Sequence, residues 1–177
     1  MDPSDSVATV SVLRFPCLEL LDYSVARATT PFPYIQGLLS FREIPPILQA
    51  FRLLALPIDL VFVDGHGRAH PRRLGIASHL GLWLEIPTIG VGKSRLCGEY
   101  QQPGPERGAR SEIRDKGELV GTVLRTRSNV KPVFVSVGNG LPLEQCVSLT
   151  LKATQTYRIP EPIRQADRLA AQNKVPG

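Results

Sequence analysis

Apolar residues in the central part of the chain fall into two kinds of run, one unbroken and one of helical spacing. The four residues LVFV at 60–63 show no polar alternation, which is typical of a strand covered on both faces within a parallel sheet. The segment PTIGVG at 87–92 has the same character. Residues 45–55 and 73–85 instead place apolar side chains at helical intervals. The pattern predicts helix, strand (59–63), helix and strand in succession.

Alternating segments stand on either side of this central part. ATVSVL at 8–13 and CLELLDYSV at 17–25 are separated by the short turn 14–16, which predicts an antiparallel hairpin. A polar, Pro/Gly-rich stretch at 101–108 is expected to be a loop. Beyond it, GELVGTVLR and KPVFVSVG predict two more strands and PLEQCVSLTLKAT a closing helix. The tail after Pro160 is expected to fray.

The order of these elements predicts an α/β fold. An antiparallel hairpin followed by a helix and by parallel strands with a helix between them describes a mixed sheet with helices on its faces. This architecture resembles that of the ribonuclease H-like nucleases, in which acidic residues on neighbouring strands converge at one edge of the sheet. The length of 177 residues and the 42% hydrophobic content fit one domain over 1–177, with residues 160–177 peripheral.

Composition narrows the class of protein. The 3 cysteines are odd in number, far apart and in no paired motif, which suits reduced thiols better than a disulfide framework. The N-terminal MDPSDS has no apolar core typical of a signal peptide, and no window is apolar enough for a membrane span. We therefore expect a cytoplasmic protein, monomeric and without a membrane partner.

Positive charge is in modest excess and is concentrated after two strands. The chain has 21 basic and 16 acidic residues, a net charge of +5, which by itself gives only a weak expectation of a polyanionic partner. A solvated basic face is the alternative. The distribution favours a binding surface, because five basic residues follow Asp64 or the next predicted strand: Arg68, Arg72, Arg73, Lys93 and Arg95.

The polar residues that end the first buried strand form a candidate site. In LVFVDGHGRAH, Asp64 stands at the carboxyl end of the strand, where ligand crevices form in open α/β sheets. Gly65 and Gly67 flank His66 and would let the backbone approach a bound ligand. The segment IGVGKS at 89–94 imitates a phosphate-binding loop, but Pro87 stands where its first glycine is needed. Lys93 is therefore interpreted as a single cation beside the strand that neighbours Asp64.

The histidines do not complete a zinc site. No cysteine or carboxylate lies at metal-ligand spacing from them, so His66 and His79 are predicted to be satisfied side chains in a loop and at a helix start. His70 differs, because it follows Asp64 closely and has arginines behind it. The sequence leaves two interpretations of His70 open: a structural loop residue, or a residue next to a phosphate or a water held by metal.

Glu43 also has two interpretations. Ser40 and Glu43 fit a helix capping box, but Pro45 and Pro46 would then occupy interior positions, where proline has no N–H to donate. We predict that the helix begins at the prolines and that Glu43 stands just outside its start, free to coordinate metal together with Asp64. Capping is the alternative.

Several segments together resemble endonuclease V, a family of repair nucleases that act at deaminated adenine. They are PYIQGLLSFREIPPIL, DLVFVDGHGRAHPRRLGIASHLG, IPTIGVGKSRLCG and RIPEP, and the resemblance runs from about residue 8 to 167. It implies that Asp64 and Glu43 bind Mg²⁺, with Mn²⁺ able to substitute, and that Lys93 lies near the scissile phosphate. It matches His70 to the histidine of the HPR segment and Tyr34 to a tyrosine that wedges into the duplex.

The resemblance implies metal-assisted hydrolysis of a phosphodiester bond on the 3′ side of deoxyinosine, leaving 5′-phosphate ends. The implied partner is DNA containing deoxyinosine, with inosine in single-stranded RNA as a second substrate class. Contacts to the nucleic acid are expected from four residues around Asp64 and His70: Gly65, Gly67, Arg72 and Arg73.

The chain departs from the family pattern at three places, of which the first bears on catalysis and the other two only on how the lesion is gripped. The family also uses an aspartate on a strand before the hairpin, and no residue of this chain matches it. Gln36 stands where proline is usual, and Asn139 where histidine is common. The chain is thus either an active Mg²⁺-dependent endonuclease or a shortened, weakly active or inactive relative that binds deaminated nucleic acid without cutting it.

Overall fold

The computed structural model describes residues 5–29 and 39–173 of the chain. These divide into two compact units. The first unit comprises Met1–Ile58 and Pro162–Gly177, and the second comprises Asp59–Glu161. The expectation that the whole chain is one domain stays a prediction. Among the described residues, no helix combines the length and the apolar character that crossing a bilayer requires.

The first unit contains the predicted hairpin. Strands β1 (Asp5–Arg14) and β2 (Glu19–Thr29) pair antiparallel as a two-stranded sheet. Helix α1 (Leu39–Arg52) packs on it through a cluster of small buried side chains, Ala8, Ala26 and Ala50. The hydroxyl of Ser24 on β2 also donates to the Ala50 carbonyl at 2.7 Å. Small side chains let the helix approach the hairpin closely. The alanine cluster between them forms a hydrophobic core of the first unit.

The start of α1 differs from the prediction. The helix begins at Leu39 and includes Pro45 and Pro46 in its interior, although proline removes a helical hydrogen bond. Burial offsets this cost, because Ile44 is 3% exposed and Ala50 is fully buried against the hairpin. The prediction that Glu43 stands outside the helix is therefore wrong: Glu43 lies within α1.

The C-terminal segment does not fray as expected. Residues Glu161–Gln172 form a helix, numbered α4, that buries Ile163 and Leu169. It is fastened within the first unit by a hydrogen bond from the Ser11 hydroxyl to the Pro162 carbonyl at 2.8 Å. The segment is polar on average, but it contains a narrow stripe of apolar residues. Such a stripe is sufficient for a helix that buries only one face.

The second unit is built on a five-stranded sheet in the order β3-β4-β7-β6-β5. Strands β3 and β4 are parallel, and the other neighbours are antiparallel. Helix α2 follows β3, and helix α3 follows β7. The bounds of these elements are β3 Val61–Asp64, α2 Ile76–Leu84, β4 Thr88–Gly92, β5 Arg110–Asp115, β6 Glu118–Leu124, β7 Val133–Asn139 and α3 Leu143–Lys152.

The predicted fold class is confirmed, with two differences in the strands. The hairpin forms its own sheet within the described residues, and the mixed character of the larger sheet comes from the parallel pair β3 and β4 beside three antiparallel strands. Strand β5 was not predicted. Its sequence RSEIRD is polar throughout except for Ile113, the one residue of the strand that is buried. A charged strand of this kind is typical of an outermost strand, and β5 is the outermost strand on one side of the sheet.

The strand register defines two ends of the sheet. Asp64 pairs with Val91 on β4, and Val91 pairs with Val135 on β7. We call this end, where β3 and β4 finish and β7 begins, the Asp64 edge. At the other end of β4, Thr88 pairs with Asn139.

Candidate active site

Asp64 and Lys93 lie together at the Asp64 edge, as their positions after parallel strands predict. The ammonium of Lys93 donates to Asp64 Oδ2 at 2.6 Å. The two side chains are 40% and 44% exposed for Asp64 and Lys93 respectively, so both are accessible to a ligand. A bond between two charged groups is shorter and stronger than a neutral hydrogen bond. The pair therefore holds a carboxylate in a fixed place at an open sheet edge.

The glycines after Asp64 allow the chain to cross closely over the sheet. A Cβ at Gly67 would overlap the Val137 carbonyl of β7, so only glycine fits. The Gly67 N–H donates to the buried Ser136 hydroxyl at 2.9 Å, and the next N–H, of Arg68, donates to the Val137 carbonyl at 2.8 Å. These contacts give Gly67 a structural role inside its own chain. Contacts from Gly65 and Gly67 to nucleic acid stay predictions.

His66 packs beneath the site, against a strand that leaves room for it. A Cβ at Gly92 would overlap the His66 ring. Burial lowers the pKa of His66, and this outweighs the opposing effect of its hydrogen bond with the Ser94 backbone. The Nδ1 atom is buried and has no hydrogen-bond partner among the described residues. The ring of His66 thus makes a hydrogen bond with the Ser94 backbone, but its Nδ1 does not fulfil the prediction that the side chain is fully hydrogen-bonded.

His70 is a buried residue of the loop that follows. Its Nδ1 accepts the Arg72 N–H at 3.2 Å, which leaves the proton of the neutral ring on Nε2. Burial lowers the pKa of His70, and the charge of Arg72 adds to the effect. The Nδ1 bond supports a structural role in the loop. The role of His70 beside a phosphate stays a prediction.

Arg73 fastens this loop to the turn between β5 and β6. Its guanidinium donates to Asp115 Oδ2 at 2.8 Å and to Glu118 Oε2 at 2.6 Å, and Arg68 bonds the other oxygen of Glu118 at 2.8 Å. Hydrogen bonding from Arg73 holds the pKa of Glu118 below its ordinary value. These ion pairs occupy much of the positive charge that was expected to bind nucleic acid. Arg72 is exposed beside them, and its contact with nucleic acid stays a prediction, as does that of Arg73.

The remaining predicted residues are not brought to Asp64 by the described contacts. Glu43 belongs to the first unit, and its ligation of a metal together with Asp64 stays a prediction. Tyr34 and Gln36 lie outside the described residues. Asn139 lies at the other end of β4 and donates to the carbonyls of Gly81 and Ile86 at 3.3 and 3.4 Å.

Arg158 was not predicted to take part in the site. Its Nη2 donates to the Lys93 carbonyl at 2.6 Å and to the Pro132 carbonyl at 2.8 Å. The Arg158 carbonyl in turn accepts the Thr126 hydroxyl at 2.6 Å. The segment RIPEP contributed to the family resemblance, but no sequence signal shows that its arginine meets the end of β4.

The carboxylate oxygens of Asp64 are ligands of the type that a hard cation such as Mg²⁺ prefers. Carboxylate oxygens are the ligands that Mg²⁺ prefers, and this ion retains several waters, so it needs few protein ligands. Among the described residues, no three His, Cys, Asp or Glu side chains are grouped so that they could hold a metal ion. Asp64 is thus an accessible carboxylate of the type that fits such an ion, and the described residues contain no group of histidines and cysteines that could hold zinc.

Comparison with known proteins identifies the family. A sequence model of the Endonuclease V family matches residues 1–168. This chain belongs to the endonuclease V family. Endonuclease V of Roseiflexus is 48% identical over 171 residues, which are 97% of this chain and 77% of that protein. Endonuclease V of Alkalilimnicola ehrlichii is 50% identical over 169 residues, 96% of this chain and 74% of that protein.

Solved structures of endonuclease V share the fold. The Streptomyces avermitilis enzyme superposes with a TM-score of 0.92 at 45% identity, covering 95% of this chain and 74% of its own. The Ciona intestinalis enzyme, solved with a 24mer DNA containing an inosine followed by a ribo-adenosine, superposes with a TM-score of 0.82 at 30% identity. That match covers 97% of this chain and 80% of its own. Endonuclease V proteins are metal-dependent nucleases, and the family resemblance predicted from the sequence is confirmed.

Proposed function

We propose that this chain is a Mg²⁺-dependent endonuclease that hydrolyses a phosphodiester bond on the 3′ side of deoxyinosine, leaving a 5′-phosphate. The observation that carries the proposal is the 2.6 Å contact between Lys93 and Asp64 at an accessible sheet edge of an endonuclease V chain. The inosine-containing DNA bound by the Ciona relative supports deoxyinosine as the lesion.

Asp64 is assigned the role of metal ligand, with Glu43 as a second carboxylate. When bound, Mg²⁺ or Mn²⁺ supplies Lewis-acid polarisation of a phosphoryl oxygen and a water of lowered pKa. Lys93 orients the Asp64 carboxylate through its hydrogen bond. Its exposed ammonium also places positive charge where the phosphate gains negative charge in the transition state.

Three further residues are assigned to the substrate. His70 is assigned as a hydrogen-bond donor through Nε2 to a phosphate oxygen, because its lowered pKa favours the neutral ring with Nδ1 already accepting a bond. Tyr34 is assigned to the gap left in the duplex when hypoxanthine turns out of the base stack. Arg72 is assigned to the phosphate backbone.

A second function, binding without cutting, is favoured by one observation. The described residues include no cluster of three metal ligands, so the site they form has a low count of carboxylates. A protein of this kind would retain the recognition of deaminated nucleic acid while lacking hydrolysis. In both cases inosine in DNA or in single-stranded RNA is the partner, and the free thiols suit a reducing cytoplasm.

The test is cleavage of a 5′-labelled duplex with one deoxyinosine in Mg²⁺. We expect Asp64→Asn to abolish cutting without lowering the melting temperature, because Asp64 is an accessible strand-end residue and not part of the core. Asp59→Asn is the matched control, since Asp59 is an exposed aspartate before the same strand. Product length identifies the bond cut.

The outcomes separate the two functions. Unimpaired cutting by Asp64→Asn would remove Asp64 from the mechanism. If the wild-type chain binds inosine duplex more tightly than an adenosine duplex but does not cut either, the binding function replaces the nuclease.

A further inference from the structure

The loop that joins β6 and β7, residues 125–132, lies at the Asp64 edge. Leu124 at the end of β6 pairs with Val133 at the start of β7, and the next residue, Phe134, pairs with Gly92 at the end of β4. Gly92 directly precedes Lys93. The β6–β7 loop therefore leads into β7, the neighbour of β4, at the end of the sheet where β4 delivers Lys93.

This loop carries two exposed cations, Arg127 and Lys131. Within residues 5–29 and 39–173, neither side chain makes a hydrogen bond or an ion pair, in contrast to Arg68, Arg73 and Lys93, each of which bonds a carboxylate. A charge that is not neutralised within the chain keeps its full attraction for an anion. Among the described residues, Arg127 and Lys131 are thus two exposed cations at the Asp64 edge whose charges no described carboxylate neutralises.

The β6–β7 loop is held in place from inside. The guanidinium of Arg125, 8% exposed, donates to the carbonyls of Pro103, Gly104 and Val130 at 2.9, 2.9 and 2.6 Å. The Asn129 N–H donates to the Pro105 carbonyl at 2.9 Å. A loop that is ordered before binding loses less conformational entropy when a ligand arrives. Its two cations are therefore presented from a fixed backbone.

Arg158 connects the loop to the candidate active site. The same Nη2 nitrogen donates to the Pro132 carbonyl, next to Lys131, and to the Lys93 carbonyl. The two carbonyls are therefore within reach of one nitrogen atom. The end of the loop at Pro132 therefore lies close to the backbone of Lys93.

We propose that the β6–β7 loop is a phosphate-binding surface that grips the nucleic acid backbone next to the bond at Lys93, through Arg127 and Lys131. The inference rests on the proposed function only in taking Lys93 as the place of the scissile phosphate. Contacts to phosphates position a strand but carry no information about the base. The loop should therefore strengthen binding to inosine and adenosine substrates equally.

The experiment measures binding as a function of salt, in EDTA so that no strand is cut. Wild-type protein is compared with the double variant Arg127→Gln and Lys131→Gln, using labelled duplexes with one deoxyinosine or one deoxyadenosine and a single-stranded RNA with one inosine. Each lost phosphate contact should reduce the slope of log K against log salt by about 0.9 on a duplex and about 0.7 on a single strand. For two lost contacts we expect the slope to fall by about 1.8 on both duplexes if the protein binds duplex DNA, or by about 1.4 on the RNA if it binds single strands.

The control is Lys116→Gln, which removes one exposed cation from the turn between β5 and β6, at the other end of β6. It should leave the slope unchanged. An unchanged slope for the double variant on all three probes would overturn the proposal, as would a loss confined to the inosine duplex. Absence of cutting by the wild-type chain in Mg²⁺, together with the expected change in slope, would overturn the nuclease function and leave the phosphate-binding surface standing.

Discussion

At the scale of single residues, Lys93 has the sharpest role that the geometry offers. Its ammonium both contacts Asp64 and remains 44% exposed, so a change at this position alters chemistry more than folding. Lys93→Met keeps the length of the side chain and removes the charge. Removal of one group that stabilises charge in a transition state costs about 100- to 1,000-fold in rate. We expect a loss of this order in single-turnover cleavage of inosine duplex.

The control for this variant is Lys116→Met, the same exchange on the turn between β5 and β6. It should cut at the wild-type rate. Equal rates for Lys93→Met and wild type would show that Lys93 only neutralises Asp64, and a large fall in melting temperature would show that the pair is structural.

Single residues also show where sequence reasoning succeeds. Asp64 and Lys93 were predicted to be neighbours because parallel strands finish at one edge, and this rule needs only the strand positions. The partners of Arg73 and Arg158 could not be predicted in the same way. Their guanidinium groups reach Glu118 and the Lys93 carbonyl across 45 and 65 residues of sequence, and such contacts depend on how the loops pack.

At the scale of elements, Arg158 fixes the end of β4 relative to the start of β7. Arg158→Lys keeps the positive charge, but the lysine side chain is one bond shorter, so its ammonium does not reach the position from which Nη2 bonds both carbonyls. Because a shift of ~1 Å in a reacting group can cost ~100-fold in rate, we expect a roughly tenfold slower single-turnover rate with an unchanged dissociation constant for inosine duplex.

A separation between rate and affinity distinguishes positioning from two simpler roles. If Arg158 bound phosphate, the dissociation constant and its salt slope would change with the rate. If it only stabilised the fold, the melting temperature would fall and the rate of the folded fraction would not. Arg164→Lys, on α4 of the first unit, is the control exchange and should retain the wild-type rate.

The elements that the sequence did not predict have one cause in common. Strand β5 and helix α4 are polar segments that bury few side chains, and α1 continues through two prolines because one face of it is buried. In each case contacts with distant residues outweigh local preference. The ends of β3 and β4 were predicted to within two residues. Both faces of these strands are covered, so their sequences are unbroken apolar runs that are easy to recognise.

At the scale of the whole molecule, the ion pairs of Glu118 should appear in the dependence of stability on pH. Hydrogen bonding from Arg73 holds the pKa of Glu118 below its unfolded value, so this stabilisation is complete above the unfolded pKa and is lost as pH falls through the folded pKa. We expect Glu118→Gln to melt below the wild-type temperature at pH 7, and the difference to vanish in acid.

Melting curves from neutral to acidic pH measure this directly. Glu106→Gln removes an exposed carboxylate from the loop at 101–108 and is the matched control, with no expected difference at any pH. A gap between Glu118→Gln and wild type that stays constant into acid would mean that the carboxylate charge is not its source.

The two ends of the five-residue strand β4 have different roles. One end meets Asp64 and leads into Lys93, whereas the other pairs with Asn139, which is occupied with holding the carbonyls of Gly81 and Ile86. At 3.3 Å for each residue of a parallel strand, these ends are roughly 13 Å apart. For anyone who wants a heat-tolerant reagent from this protein, the Asn139 end is the place to begin, because packing can be tightened there while the reacting groups keep their places.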